Sequence, residues 1–277
     1  METFELFTLA FMQRAILGAL LLSILLGLFG IFIVPRRLGF MADGISHASL
    51  LGIAFGLLIG VYPLIFAMLL AGIFGILLTR VKDYGRLTQD GLVGIFLAGG
   101  MSGAIIMMSF VPGYKPELFS YLFGDILSIR WIEILGLALY SVIVLMLFQR
   151  QWRSLIITTV HSDLSHVIGL PATATRYFLF IGTSLTLIAG VKLLGIILVS
   201  ALLIIPVLSA NQIGHSFRST LVFTQVIGVS ASFFGIIFSY IFDIPTGPSI
   251  ALLLVITFSI ISLTYILKKG ARDSLAG

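Results

Sequence analysis

Long apolar runs recur along the whole chain and limit it to one class of fold. Windows of about 18 or more apolar residues are long enough to cross a bilayer as helices. Of the 277 residues, 59% are hydrophobic and 10% are charged, which lies outside the range of soluble domains. Lipid cannot satisfy backbone polar groups, so runs of this length are expected to be helical. The sequence therefore predicts an all-α polytopic membrane protein, with residues 1–277 forming a single transmembrane domain.

The apolar runs predict nine spans. Eight remain an alternative, because AGVKLLG around Lys192 leaves almost no loop between two of the runs and would also suit a kinked or re-entrant helix pair. The predicted bounds are 11–34, 43–60, 63–80, 91–110, 131–148, 177–191, 193–210, 219–241 and 249–267.

The distribution of lysine and arginine predicts the orientation of these spans. Basic residues concentrate in alternate connections and at the C-terminus, and the positive-inside rule makes those connections cytoplasmic. We therefore expect the N-terminus outside and the C-terminus in the cytoplasm. The residues concerned are Arg36, Arg37, Arg80, Lys82, Arg86, Arg150, Arg153, Arg176, Arg218, Lys268, Lys269 and Arg272.

Composition also restricts the chemistry of the chain. The absence of cysteine excludes disulfides and thiolate metal sites and leaves carboxylate, imidazole and carbonyl groups as candidate ligands. The net charge of +5 forms no basic stripe with interleaved aromatic residues, so no nucleic-acid partner is expected. Acidic side chains fall mainly at span edges and in loops, which argues against a stand-alone secondary carrier driven by protons or sodium.

One pair of polar residues stands out at the leading edge of the second span, in MADGISHASLLGIAFGLLIG at 41–60. Asp43 and His47 are four residues apart, so a helix places both side chains on the same face. An oxygen and an imidazole nitrogen suit Zn²⁺, Mn²⁺ or Fe²⁺. The alternative is structural: Asp43 caps the helix and His47 bonds a neighbouring carbonyl. Two ligands do not close a metal site, but a transport site must release its ion.

The connection from Gln149 to Arg176 is the longest on the cytoplasmic side. Ser162 is a candidate helix cap, and Gly169 and Pro171 are typical helix stops, which predicts a short surface helix over 162–168. A protruding cytosolic helix suggests a docking site for a partner. Two histidines flank Asp163 in this connection, but their spacing of five does not place them on one helical face, so metal binding there is less favoured.

An enzymatic alternative rests on Gly100-Met101-Ser102-Gly103, which fits the GxSG pattern of intramembrane serine proteases. His215 follows later in the chain. The predicted topology places His215 in a cytoplasmic connection away from Ser102, and the chain contains no HExxH motif. Both observations argue against a catalytic centre.

Three segments closely resemble the metal-ion permeases of ATP-binding-cassette importers, the membrane subunits of zinc and manganese uptake systems. They are PRRLGFMADGISHASLLGIAFG at 35–56, VKLLGIILVSALLIIPVLSA at 191–210 and the opening FMQRAILGALL. The order and spacing of these segments agree with that family over nearly the whole chain.

The resemblance implies a homodimeric permease in the cytoplasmic membrane of a prokaryote, with the architecture of the cobalamin and iron-chelate importers. It implies a cytosolic ATPase that binds ATP, an extracytoplasmic metal-binding protein and no permanently bound cofactor. The transported ion is zinc or manganese, with zinc favoured on ASLLGIAFGLL and FMQRA.

The resemblance also assigns roles to residues. It associates Asp43 and His47 with metal in the translocation path, and it places the coupling segment that docks the ATPase at about 160–171. The residues of this segment assigned to coupling are Asp163, Leu164, His166, Gly169, Leu170 and Pro171.

Overall fold

The computed structural model describes residues 8–81, 88–112, 116–125, 129–160 and 169–276. Within these ranges the chain is helical, and a 3₁₀ turn at Val34–Arg36 joins the first two helices. The helices are α1 (Ala10–Ile33), α2 (Met41–Ile59), α3 (Pro63–Val81), α4 (Gln89–Phe110), α5 (Pro116–Phe123), α6 (Trp131–Val160), α7 (Ala172–Leu194), α8 (Ile196–Ile213), α9 (Phe217–Phe242) and α10 (Thr246–Ala276).

Nine helices in the described part of the chain are long and apolar enough to cross a membrane, which confirms the predicted fold class and favours nine spans over eight. Their ends differ from the predicted bounds by up to five residues, with two larger exceptions. Helix α10 continues to Ala276, whereas the predicted span ended at 267. Helix α6 continues to Val160, whereas the predicted span ended at 148. Gln149, Arg150 and Arg153 ended the apolar run, but polar side chains do not interrupt backbone hydrogen bonding. The connection before α7 is therefore shorter than predicted.

Helices α1, α7 and α8 form the centre of the bundle. Helix α1 packs against α6, α7, α8 and α9, and most of its residues are buried. Helix α2 lies between α3 and α4 and also contacts α7 and α8, so it is enclosed on most sides. Helices α4, α6 and α10 are peripheral, with apolar side chains along their outer faces that suit contact with lipid.

Helices α7 and α8 meet at Gly195 without a loop, in the segment whose connection was predicted to be almost absent. Gly195 has a φ of 80°, a conformation that favours glycine. A Cβ on Gly195 would also lie 2.5 Å from the carbonyl carbon of Phe123, at the end of α5. The break between the two helices thus depends on a residue that has no side chain.

Candidate functional site

The chain enters α2 through a sequence of tight turns. Arg37 follows the 3₁₀ turn with a φ of 62°, and the amide of Met41 donates to the carbonyl of Leu38 at 3.0 Å. Asp43 then lies in the first turn of α2, where the positive end of the helix dipole favours a negative charge. His47 follows one turn later, so the two side chains share one face, as predicted from their spacing.

The face that carries Asp43 and His47 is the open side of an otherwise buried helix. From Met41 to Ala54, the partly accessible residues are Asp43, His47 and Leu51, and every other residue is buried. Phe55, the next residue at this spacing, is 36% exposed. We call Asp43, His47, Leu51 and Phe55 the α2 stripe. It presents one carboxylate and one imidazole to whatever lies outside the chain.

The structural alternative for the pair is not what the geometry shows. The N-cap of α2 is Phe40, and no side chain caps the helix. Within the described residues, the His47 Nδ1 atom is buried and has no hydrogen-bond partner. Asp43 likewise makes no hydrogen bond or ion pair there. Buried polar atoms are rarely left unpaired in native proteins, so the unpaired Nδ1 calls for an explanation. Its lone pair or proton is not used by any described group, which leaves the imidazole available for a ligand.

A single copy of the chain does not assemble a closed metal site. No group of three or more His, Asp or Glu residues with the spacing of a metal site occurs among the described residues. Asp43 and His47 supply at most two protein ligands, fewer than the three or four of resident zinc sites. An arrangement of this kind suits a passing cation better than a resident one.

Glycines let α4 approach α2 closely beside the stripe. A Cβ on Gly44 would lie 2.8 Å from Val93 of α4, and a Cβ on Gly100 of α4 would overlap the Cα of Ala48. The residues of α2 in contact, Gly44 and Ala48, directly follow Asp43 and His47. The tight contact with α4 therefore fixes the backbone that carries both candidate ligands.

A second polar cluster, not predicted from the sequence, joins Tyr62, Glu133 and Lys192. Lys192 Nζ lies 2.5 Å from Glu133 Oε1, and the Tyr62 hydroxyl donates to the same oxygen at 2.8 Å. Burial, and then the hydrogen bond to Glu133, raise the pKa of Tyr62 above its ordinary value. The phenol therefore remains a donor at neutral pH. The signal of this cluster in the sequence is Lys192, a charged residue at the end of an apolar run.

This cluster borders a cavity of about 390 Å³ among α3, α6 and α7. The cavity wall is mostly apolar, and Tyr140 contributes a further hydroxyl that donates to the carbonyl of Gly182 at 3.0 Å. Asp43 and His47 do not line this cavity. It is therefore separate from the candidate metal face.

The predicted coupling segment is described only at its end. Asp163, Leu164 and His166, together with the predicted 162–168 helix, lie outside the described residues. Gly169 has a φ of 70°, and Pro171 is the N-cap residue of α7, with Leu170 between them. Gly169 therefore has the left-handed conformation common at helix ends, and the helix predicted before it stays a prediction.

The residues of the protease alternative are not brought together. Ser102 lies on α4, whereas His215 lies between α8 and α9. Helix α4 packs against α2 and α3, and these described helices separate it from α8 and α9. The geometry of a serine nucleophile with a histidine base is absent from this pair.

Comparison with known proteins decides the class of the chain. The sequence model of the ABC 3 transport family matches residues 8–265 of this chain. The chain belongs to the ABC 3 transport family. This membership confirms the resemblance inferred from the sequence and identifies the chain as a transport subunit, not an enzyme.

Relatives of this ABC 3 family member cover almost its full length. An uncharacterized membrane protein of Cyanophora paradoxa is 35% identical over 97% of this chain and 90% of its own length. The high-affinity zinc uptake system membrane protein ZnuB of Haemophilus influenzae is 29% identical over 86% of this chain and 91% of its own. The manganese transport system membrane protein MntC of Halalkalibacterium halodurans is 29% identical over 90% of this chain and 85% of its own length.

Solved structures share the fold of this ABC 3 family member. PsaBC from Streptococcus pneumoniae in complex with Fab matches with a TM-score of 0.83 and 28% identity, over 94% of each chain. An inward-facing putative metal-chelate type ABC transporter matches with a TM-score of 0.70 and 18% identity, over 91% of this chain and 86% of that one. The second likeness concerns the fold alone.

Proposed function

We propose that this chain is the permease subunit of an ATP-driven importer of divalent transition-metal ions, and that Asp43 and His47 are transient ligands of the ion. The observation that carries the proposal is that Asp43 and His47 share the one partly accessible face of an otherwise buried stretch of helix, where neither side chain has a hydrogen-bond partner among the described residues. A carboxylate and an imidazole together match the ligand preference of Zn²⁺ and Mn²⁺.

Zinc is the cargo that we propose first, with manganese next. The preference rests on the resemblance of ASLLGIAFGLL and FMQRA to the zinc branch. ZnuB of Haemophilus influenzae and MntC of Halalkalibacterium halodurans are each 29% identical to this chain, so identity does not separate zinc from manganese. Carboxylate and imidazole ligands accept both ions, so direct competition between the two metals is the appropriate measurement.

The proposed assembly is a homodimer in the cytoplasmic membrane of a prokaryote, with the N-terminus outside. A cytosolic ATPase binds ATP and docks on the coupling segment at 160–171, and an extracytoplasmic protein delivers the metal. Two copies contribute two carboxylates and two imidazoles to a shared path. The incomplete ligand set of one copy supports this arrangement, because a single stripe offers at most two protein ligands.

The proposal is tested by reconstituting the permease in liposomes with its ATPase and binding protein. We expect ATP-dependent uptake of Zn²⁺, inhibited by excess Mn²⁺, and no uptake when the ATPase is omitted. The Asp43→Asn variant should assemble normally and import no metal. Metal uptake driven by a proton gradient without the ATPase would replace the proposal with a stand-alone carrier.

A further inference from the structure

Helix α6 and helix α2 are connected by side chains although they do not pack against each other. Helix α6 has 30 residues and is about 45 Å long, and it packs against α1 and α7. Helix α2 packs against α3, α4, α7 and α8. Both helices are described over their full lengths, so the lack of packing between them does not result from missing residues. The direct contacts involve the segments that flank α2.

The first contact joins the entry of α2 to the last turn of α6. Arg36 Nη2 donates to Thr159 Oγ1 at 3.1 Å and to Thr158 Oγ1 at 3.4 Å. The two hydroxyls donate in turn to carbonyls of their own helix, at Ser154 and Leu155, 2.7 Å away in each case. Their oxygen lone pairs are thereby oriented toward the guanidinium. We call Arg36, Thr158 and Thr159 the inner tie.

The inner tie is coupled mechanically to the candidate ligands. The turn that contains Arg36 continues into α2 through backbone hydrogen bonds, including Met41 N to Leu38 O at 3.0 Å and Ala42 N to Gly39 O at 3.4 Å. These hydrogen bonds restrict the backbone between Arg36 and Asp43. A displacement of Arg36 therefore displaces the first turn of α2.

The second contact joins the exit of α2 to the first turn of α6. The Tyr62 hydroxyl donates to Glu133 Oε1 at 2.8 Å, and the amide of Val61 donates to the carbonyl of Gly56 at 3.0 Å, at the end of α2. Glu133 is held in place by Lys192 and by the amide of Arg130, which donates to Oε2 at 3.1 Å. We call Tyr62 and Glu133 the outer tie.

We propose that α6 transmits movement of the ATPase-docking segment to both ends of α2 through the inner and outer ties. The inference rests on the proposed function, because it requires an ATPase that docks just beyond Val160. A continuous helix moves as a rigid unit, so a shift at Val160 also moves Glu133 at the opposite end. Arg36, Thr158, Thr159, Tyr62 and Glu133 are positioning residues: they act on Asp43 and His47 by moving α2.

The test measures metal imported per ATP hydrolysed in the reconstituted complex. The variants are the double substitution Thr158→Val/Thr159→Val for the inner tie and Tyr62→Phe for the outer tie. We expect ATP hydrolysis to persist while the ratio falls roughly tenfold in each case, a usual size for coupling between sites. The valine pair keeps nearly the same side-chain volume but leaves Arg36 Nη2 without its two hydroxyl acceptors, so thermal unfolding is measured in parallel and the ratio is compared at temperatures where both complexes stay folded.

Matched controls carry the same substitutions where no tie exists. Thr257 donates to the carbonyl of Leu253 in its own helix at 2.8 Å, and Thr257→Val should keep the wild-type ratio. Tyr265 is 48% exposed and makes no hydrogen bond within the described residues, so Tyr265→Phe should also keep it. The conservative variant Thr158→Ser/Thr159→Ser retains both hydroxyls and should restore coupling.

The outcomes separate this inference from the proposed function. A wild-type complex that imports no metal with ATP overturns the proposed function, and this inference with it. A working wild type whose tie variants keep the normal ratio overturns the inference alone. If the valine double variant does not assemble, Arg36→Met decides, because it removes the donor of both bonds and keeps an unbranched apolar stem: a normal ratio overturns the inner tie, and a reduced one supports it.

Discussion

Asp43 and His47 contribute little to the stability of α2, because neither side chain makes a hydrogen bond within the described residues. A structural histidine left without its partner would cost about 1–3 kcal/mol of stability. Here that interaction is already missing in the native chain. The residues therefore differ from a cap and a core hydrogen bond, which were the structural reading of the same spacing.

Removing the ligand atoms should consequently affect transport far more than folding. We expect Asp43→Asn and His47→Ala each to abolish metal uptake while changing the free energy of unfolding by less than about 1 kcal/mol. Uptake in proteoliposomes and thermal unfolding of the purified permease measure the two effects. Wild-type uptake by a well-folded Asp43→Asn protein would contradict the assignment of both ligands.

At the scale of helices, the contact between α2 and α4 depends on particular glycines. Gly100 faces the backbone of Ala48, whereas a Cβ on adjacent Gly99 would have no described atom within 4 Å. We expect Gly100→Ala to force α4 away from α2 and to lower stability by about 1–3 kcal/mol, with impaired uptake. Gly99→Ala is the matched control and should be neutral or stabilising by roughly 0.5–1 kcal/mol. Equal effects would contradict the close packing beside the stripe.

The end of the coupling segment allows a similar comparison at one position. Gly169 has a φ of 70°, and no described atom lies within 4 Å of where its Cβ would be, so strain and not crowding against the described residues decides which residues fit. Gly169→Val should uncouple ATP hydrolysis from transport, because β-branched residues avoid this conformation. Gly169→Asn should retain coupling, since asparagine tolerates it. Equal coupling ratios in both variants would show that the backbone at 169 is not needed for docking.

The spans could be predicted from sequence because bilayer thickness and backbone hydrogen bonding together require long apolar helices. The spacing of Asp43 and His47 also predicted their shared face. The extension of α6 to Val160 could not be predicted in this way, since hydropathy indicates which residues lie in lipid and not where a helix ends. The Tyr62 and Glu133 contact was equally hidden, because Tyr62 lies in the connection after α2 and Glu133 lies 71 residues later, in the first turn of α6.

At the scale of the whole molecule, the α2 stripe raises the question of what covers it. It runs along an otherwise buried helix, and its two ligands are too few to hold a divalent ion alone. In the proposed homodimer, a two-fold axis beside the stripe would bring two copies of Asp43 and His47 to one path. The stripe residues Leu51 and Phe55 would then approach their counterparts in the second copy.

The chain has no cysteine, so a single introduced cysteine reports its own position in the dimer. We expect Phe55→Cys to form cross-linked dimers with a short bifunctional maleimide in native membranes. Val226→Cys is the control: it is 55% exposed on α9, a helix that does not pack against α2, and should remain uncross-linked. Cross-linking through Val226 but not Phe55 would place the stripe away from the axis. Each path would then hold its ion with one carboxylate and one imidazole, and the remaining ligands would have to be water or backbone carbonyls.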